Sequence, residues 1–405
     1  MVHMERPIHN VFIFCALLFV LSGCATYQAQ KVVPTPIIQA QQEIPEEELL
    51  DVGIAVFKSE ELTEEKAKKE GTHPDIRKAE RHFIPYHLKN TLQQSSHWGA
   101  VRVIPTETPE VDLLVIGELL ESNGEHLILK IDVIDAAGST WLHKAYKAEA
   151  TDSFYSGNVP GQKDAFQDLY NSIANDIAAF KKKLGHDEIQ KIRTISKLKF
   201  AADFAPDAFE GYLGKDKKDR INVNRLPADD DPMMDRLLQI RDRDHMYVDV
   251  LNEYFEGFYN EMWQPYEDWR KTNLIEQVAL RKIKRDAYLR QAAGGLMMAL
   301  ALGLAIGDVD NTYALQSILI VGGGMVIVDG FNISKQAEIH RVAIQELSES
   351  FGSEMKPVVM EFKGKEYELT GSAEEQYKHW RELLRKIYYE ETGFEQPDDL
   401  KTSRN

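Results

Sequence analysis

Three runs of alternating apolar and polar residues, spaced by two glycine turns, constrain this chain more than any other feature. They are Leu113-Leu-Val-Ile-Gly-Glu-Leu-Leu120, His126-Leu-Ile-Leu-Lys-Ile-Asp-Val-Ile134 and Thr140-Trp-Leu-His-Lys-Ala-Tyr146, separated by Asn123-Gly124 and Ala137-Gly138. A period of two marks a strand with one face in water. Asn-Gly between such runs predicts a tight hairpin in which both turn residues take positive φ. In the middle run Leu127, Leu129, Ile131 and Val133 share one face while Lys130 and Asp132 share the other, so the expectation is a three-stranded antiparallel meander buried on one side. Cover for that side lies nearby. Arg77 to Gln94 reads as an amphipathic helix with Phe83, Leu88 and Leu92 inward, and Lys163 to Leu184 as a second with Phe166, Leu169, Ile173, Ile177 and Phe180 at helical spacing. With strands at Val52–Phe57 and Val101–Ile104, these elements predict a small α/β domain over residues 50–185.

The order β-α-β-β-β, with the phrases Val111-Asp-Leu-Leu-Val-Ile-Gly-Glu118 and Asp135-Ala-Ala-Gly-Ser-Thr-Trp-Leu142, resembles the small α/β domain of curli-secretion lipoproteins, penicillin-binding-protein activator lipoproteins and the N-terminal domain of the Tol-system propeller protein. The resemblance covers residues 50–150 and implies a periplasmic module that binds proteins or assembles. It carries over no active-site residue. The chain as a whole resembles a Gram-negative lipoprotein family to which no activity is attached.

The N-terminus agrees with that class. Arg6 precedes the apolar run Val11–Val20, which is followed at once by Leu21, Ser22, Gly23 and Cys24. A charged start, a short apolar stretch and small residues before the cleavage point form a secretory signal. The run falls short of the ~20 apolar residues that span a bilayer. Leu21-Ser22-Gly23-Cys24 matches a lipobox, so residues 1–23 are expected to leave and Cys24 to carry the acyl chains. Several chains anchor stably where one does not. Cys15 leaves with the signal, which excludes a disulfide from the mature chain. Residue 25 is Ala rather than the Asp that commonly retains lipoproteins at the inner membrane, so the expected location is the outer membrane, periplasmic side. Residues 24–49 lack periodicity and read as a flexible tether.

The remainder reads as mostly helical, giving an α+β chain. Phe200 to Leu213 looks like a short helix broken at Pro206, and the charged stretch Lys215 to Asp231 like a loop. Asp231-Pro232 offers an N-cap with Pro at N1 for a long helix towards Trp263, which Pro265 should kink or interrupt before it resumes over Asp268–Gln291. The helical region 186–291 carries Tyr247, Tyr254, Phe255, Phe258, Tyr259, Trp263, Tyr266 and Trp269. Core packing between helices is the favoured reading of these aromatics, and a sugar-stacking surface the sharper one. An apolar hairpin follows over 292–330, in which Gly295, Ala299, Gly303 and Gly307 recur every fourth position. Such a row lets helices approach closely, resembles the glycine-zipper hairpins of some outer-membrane lipoproteins, and fits either bilayer contact or burial in protein. Residues 331–395 read as a helix with Ile339, Val342, Ala343 and Leu347 on one side, a β-hairpin turning at Lys363-Gly364, and a last helix from Ala373 to Glu391. The tail 396–405 is polar.

The net charge of -17 argues against nucleic acid as a partner, since a phosphate binder needs a basic face. Nucleophile elbows, zinc-protease signatures and phosphate loops are absent from the sequence; Asp229-Asp230-Asp231 reads as a solvated loop and helix cap in preference to a divalent-cation site, and histidines 73, 82, 87 and 97 repeat no ligand spacing. No cofactor, metal or catalytic residue is expected. The reading is a non-enzymatic lipoprotein that assembles with envelope proteins, and with copies of itself as a homo-oligomer, on a membrane held through Cys24. The alternative is a protein that binds or acts on peptidoglycan.

Overall fold

The computed structural model describes residues 30–31, 35–108, 110–150, 164–304, 339–352, 355, 357–362 and 365–394. Cys24, the lipobox residues Leu21, Ser22 and Gly23, Gly307 and the second arm of the apolar hairpin lie outside them. The chain is α+β. Its meander forms as expected: β5 (Leu113–Ser122), β6 (His126–Asp135) and β7 (Thr140–Glu149) pair antiparallel, with Leu127, Leu129, Ile131 and Val133 buried on one face. The sheet extends on both sides. On the β5 side come β2 (Val52–Ala55) and β4 (Val101–Ile104), both parallel, with β3 (Lys58–Ser59) also on β5; β1 (Gln30–Lys31) adds in parallel to β7. The connection from β2 to β4 carries α1 (Glu64–Glu70) and α2 (Pro74–Gln94), as a parallel pair requires a crossover.

The Asn123-Gly124 turn differs from expectation. Only Gly124 takes positive φ, at 78°, and three residues rather than two separate the strands. The Asn123 carboxamide oxygen accepts from the backbone N–H of Glu125 at 3.1 Å and of His126 at 2.8 Å. This side chain closes the turn as a second backbone carbonyl would.

Helices α2 and α3 (Gln167–Lys181) lie over the sheet. Beyond them α4 (His186–Phe204) ends one residue before the Ala205-Pro206 bond, because proline disfavours helical backbone in the residue preceding it. The stretch expected as a loop contains a small hairpin, β8 (Leu213–Lys215) with β9 (Ile221–Val223). Then α5 runs unbroken from Pro232 to Leu304. Asp231 caps it as expected, accepting from the backbone N–H of Met233 at 2.9 Å. Pro265 does not end it. The ring removes one hydrogen bond, yet Tyr259 and Met262 before it and Tyr266 and Trp269 after it are all buried against the body, and tertiary packing outweighs a local cost of ~3 kcal/mol. The boundary read at 292 falls inside this helix, so Gly295, Ala299 and Gly303 lie on its last turns, one below the other.

Residues 339–352 are helical, but their buried side is Ile344 and Phe351, while Ile339 and Val342 are exposed. The face read from sequence is therefore rotated by about a third of a turn. The hairpin β10 (Val358–Phe362) with β11 (Lys365–Leu369) forms, and α6 (Ala373–Thr392) buries Tyr377, Trp380, Leu384, Ile387 and Tyr388 behind a capping box of Ser372 and Glu375. One continuous apolar core runs from Leu50 in the first domain through α4 and α5 to Tyr388.

The tether also differs. Residues 35–40 form a strap fixed to α3: the Thr35 N–H donates to Asp168 at 3.0 Å, the Ile38 N–H to Asn175 at 2.8 Å, and the Asn171 and Asn175 amides donate to the carbonyls of Thr35 and Pro36 at 2.9 and 3.0 Å. Lack of periodicity misled here, because this backbone is satisfied by side chains of another element.

Candidate functional site

A cleft of about 790 Å³ opens where α2, α3, α5 and the strap meet. Helical spacing builds each wall. On α2, His87, Asn90, Thr91 and Gln94 follow one face; on α3, Gln167 and Asn171 stand four apart; on α5, Tyr259 with Trp263 and Asn260 with Gln264 do the same. Pro36, Ile37 and Gln39 of the strap close the remaining side.

A directed chain of hydrogen bonds fixes the floor. The Gln167 amide nitrogen donates to Asn171 Oδ1 at 3.0 Å, which leaves Gln167 Oε1 to accept from His87 Nε2 at 2.9 Å. His87 Nδ1 then accepts from the Tyr259 hydroxyl at 2.8 Å, and Asn171 passes the chain on to the strap carbonyl of Thr35. His87 is buried, and burial holds its pKa below the ordinary histidine value. The imidazole is accordingly neutral, as this donor order requires. The Trp263 indole stacks on it, centroids 5.7 Å apart and planes within 23°.

Beneath this floor sit charges taken wholly out of water. Arg270 pairs with Asp164 at 2.8 Å, the two side chains 2% and 0% exposed, and the Phe166 N–H also donates to Asp164. Burial pushes the Asp164 carboxyl up, but the Arg270 guanidinium and these hydrogen bonds together hold it below the usual range. Glu80 behaves oppositely. Burial raises it despite Arg77, and it accepts from the hydroxyls of Ser122 and Tyr266.

A second charged cluster joins α6 to the body. Arg381 reaches Glu110 at 2.9 Å, Asp203 at 2.8 Å and Asp244 at 3.0 Å, and Arg385 adds a contact to Asp203 at 2.6 Å. It borders a cavity of only about 40 Å³, large enough for little more than water.

Of the aromatics along α5, Tyr247, Phe255, Phe258, Tyr266 and Trp269 are core, and the half-buried Tyr254 donates its hydroxyl to the Phe351 carbonyl. Tyr259 and the half-buried Trp263 line the cleft. Histidines 73, 82, 87 and 97 do not converge: the imidazoles of His73, His82 and His87 meet Asp75, Glu374 and Tyr259 in turn, and His97 is buried beside Lys181, which donates to its backbone carbonyl. Glu125, His126 and Glu149 bring three ligand atoms within 4.8 Å of one another, but Arg281 already holds Glu125 at 2.6 Å, so a cation would displace a guanidinium. The amides of the cleft went unread in the sequence. Their signal was three pairs at the same spacing, Asn90 with Gln94, Gln167 with Asn171 and Asn260 with Gln264, each on a different helix.

No family model matches the chain, and no curated protein matches it. Among solved structures, the protein XCC0632 of Xanthomonas campestris, from the family DUF330, aligns over 38% of this chain and 91% of its own at 7% identity, with a TM-score of 0.17. A superposition this loose carries no argument.

Proposed function

We propose that this chain is an outer-membrane lipoprotein, anchored through acyl chains on Cys24, whose body faces the periplasm and works by binding. Its role is the assembly of envelope proteins, without chemistry of its own, and the row Gly295, Ala299 and Gly303 provides a seam for copies of the chain. The observation that carries this reading is the strap. Ten residues lie between Cys24 and Thr35, at most about 40 Å of extended chain, and the strap they lead into is itself one wall of the cleft. Anchor and binding site are thus joined by a short leash, as suits a protein that presents a site at a fixed distance from a membrane. A role on peptidoglycan is the second reading, and Trp263 in the cleft wall is the observation that favours it.

Replacing Cys24 by Ser tests the anchor. The variant should lose lipid labelling and leave the membrane fraction for the soluble periplasm, and crosslinked partners of the wild type should be recovered poorly from it. Unchanged membrane fractionation without label would overturn the anchoring role of Cys24.

A further inference from the structure

We propose that the cleft between α2, α3, α5 and the strap binds a neutral glycan, one sugar ring lying against Trp263 and its hydroxyl and amide groups read by Gln94, Asn260 and neighbouring carboxamides. The proposal rests on the second reading above, a role on peptidoglycan, and names the ligand class of that site.

The composition of the cleft is the first argument. Charged residues make up 28% of the chain, so a wall of thirteen residues drawn at that rate would hold three or four. This one holds no Asp, Glu, Lys or Arg, and seven of its thirteen residues are Asn or Gln. A phosphate, carboxylate or ammonium ligand would enter without a counter-charge, at a steep desolvation cost. A ligand of hydroxyls and amides meets what it needs, since each carboxamide offers two donors and an acceptor.

Availability is the second argument. Gln167 and Asn171 are held by the His87 chain, but the Gln94 and Asn260 side chains have no hydrogen-bond partner among the described residues and stand exposed on two different helices of the cleft. Trp263 lines the same cleft. A pyranose has an apolar face of C–H groups and a rim of hydroxyls, which matches an indole flanked by amides. The volume of about 790 Å³ is also that of a ligand site rather than a packing fault.

An extended peptide is the rival with the same hydrogen-bonding groups. Peptides are commonly taken by a sheet edge, which offers a row of main-chain N–H and C=O groups. Here the walls are helices whose backbone groups are already bonded, and the strap's carbonyls at Thr35 and Pro36 are spent on α3. Glycosidic cleavage would need a flanking pair of carboxyl groups, which the lining lacks, so the glycan is held and not cut.

The test uses the full chain with Cys24→Ser and follows tryptophan fluorescence. The chain has five tryptophans, and Trp98, Trp141, Trp269 and Trp380 are buried, so a change on titration reports Trp263. The probes are a tetramer of N-acetylglucosamine, the glucose tetramer without acetamido groups, its deacetylated cationic counterpart and an uncharged tetrapeptide. Saturable change with at least one neutral glycan is expected, weaker by about tenfold for the cationic form. Asn260→Ala and Gln94→Ala, both at exposed positions, should each weaken binding several-fold with an unchanged melting temperature. Trp263→Phe should retain part of the affinity by calorimetry and lose the fluorescence signal. Silence towards both neutral glycans at millimolar concentration, or affinity indifferent to Asn260→Ala with Gln94→Ala, overturns the proposal. Saturation by the tetrapeptide alone assigns the cleft to peptides and overturns it too. These outcomes are independent of fractionation: glycan silence in a chain that Cys24→Ser has released from the membrane removes the ligand and leaves the anchor.

Discussion

The two buried charge clusters differ in how they balance, and the difference separates a site from a staple. Under the cleft, Arg270 meets Asp164 and both are almost wholly dry. At α6, Arg381 and Arg385 face Glu110, Asp203 and Asp244, two cations against three carboxylates, with Asp203 a third exposed. The first is a matched pair that fixes the elements around an open cavity. The second is over-supplied with acid, partly wet, and closes on a void of about 40 Å³. A matched dry pair gives rigid support to the walls above it, whereas the other ties a terminal helix to three earlier segments and tolerates imbalance because water reaches it.

The sharpest way to break this contrast is Arg270→Ala. It strands the Asp164 carboxylate in a dry interior, and uncompensated buried charge of that kind costs roughly 3–5 kcal/mol. Urea midpoints should fall accordingly, and Arg270→Met combined with Asp164→Asn should recover most of the loss. A deficit below ~1 kcal/mol for the single variant would mean that water reaches this pair as it reaches the other.

Next in size is a pair of glycine substitutions. Gly124 and Gly138 both take positive φ, 78° and 82°, yet a Cβ on Gly124 would lie 2.6 Å from the Arg270 carbonyl oxygen while one on Gly138 meets nothing within 4 Å. Gly138→Val should cost about 1 kcal/mol from backbone strain. Gly124→Val should exceed that by another ~1–3 kcal/mol of overpacking against α5. Equal melting temperatures for the two would show that the meander tip does not bear on the dry cluster.

These positions also show what could be read in advance. The meander was legible because alternation is a local property of a strand, and Asp231-Pro232 was legible because a cap is local too. The passage of α5 through Pro265 was not, since it depends on Tyr259, Met262, Tyr266 and Trp269 finding cover in residues far along the chain. The strap was hidden for the same reason: its order comes from Asp168, Asn171 and Asn175, more than a hundred residues away. The cleft was half visible. Trp263 stood in a stripe whose other members are mostly core, and nothing local distinguished it from them.

A pH series addresses the α6 cluster. Burial pushes the Glu110 carboxyl up to about 7 from an ordinary 4.5, with Arg381 opposing and Asp203 and Asp244 adding to the rise. A folded-state value above the unfolded one gives stability that is full below about pH 4.5 and is lost as pH rises through 7. His245, held down to about 4 chiefly by burial, works in the other sense below its ordinary 6.5, and comparison with wild type cancels it. Glu110→Gln should therefore gain on wild type between pH 5 and pH 8 by about 1 kcal/mol or more, with Asp203 and Asp244 still neutralising Arg381. A parallel pair of pH profiles would show the cluster to be balanced after all.

The smallest effect on stability belongs to the strap, and it separates support from attachment. Asp168→Ala with Asn175→Ala removes the acceptors for the N–H groups of Thr35 and Ile38, bonds at the surface, each worth at most about 1 kcal/mol net. Both bonds lie at the surface, so the urea midpoint should move little. Local opening should change far more: amide exchange at Thr35 and Ile38 should quicken by about tenfold or more while exchange in β5 and β6 stays slow, because a strap released from α3 opens without unfolding the core. The cleft then loses one wall, while Gln30 and Lys31 stay paired with β7. If the double variant instead unfolds as readily as Arg270→Ala, the strap belongs to the same cooperative unit as the dry pair, and anchor, cleft wall and core form a single structural element.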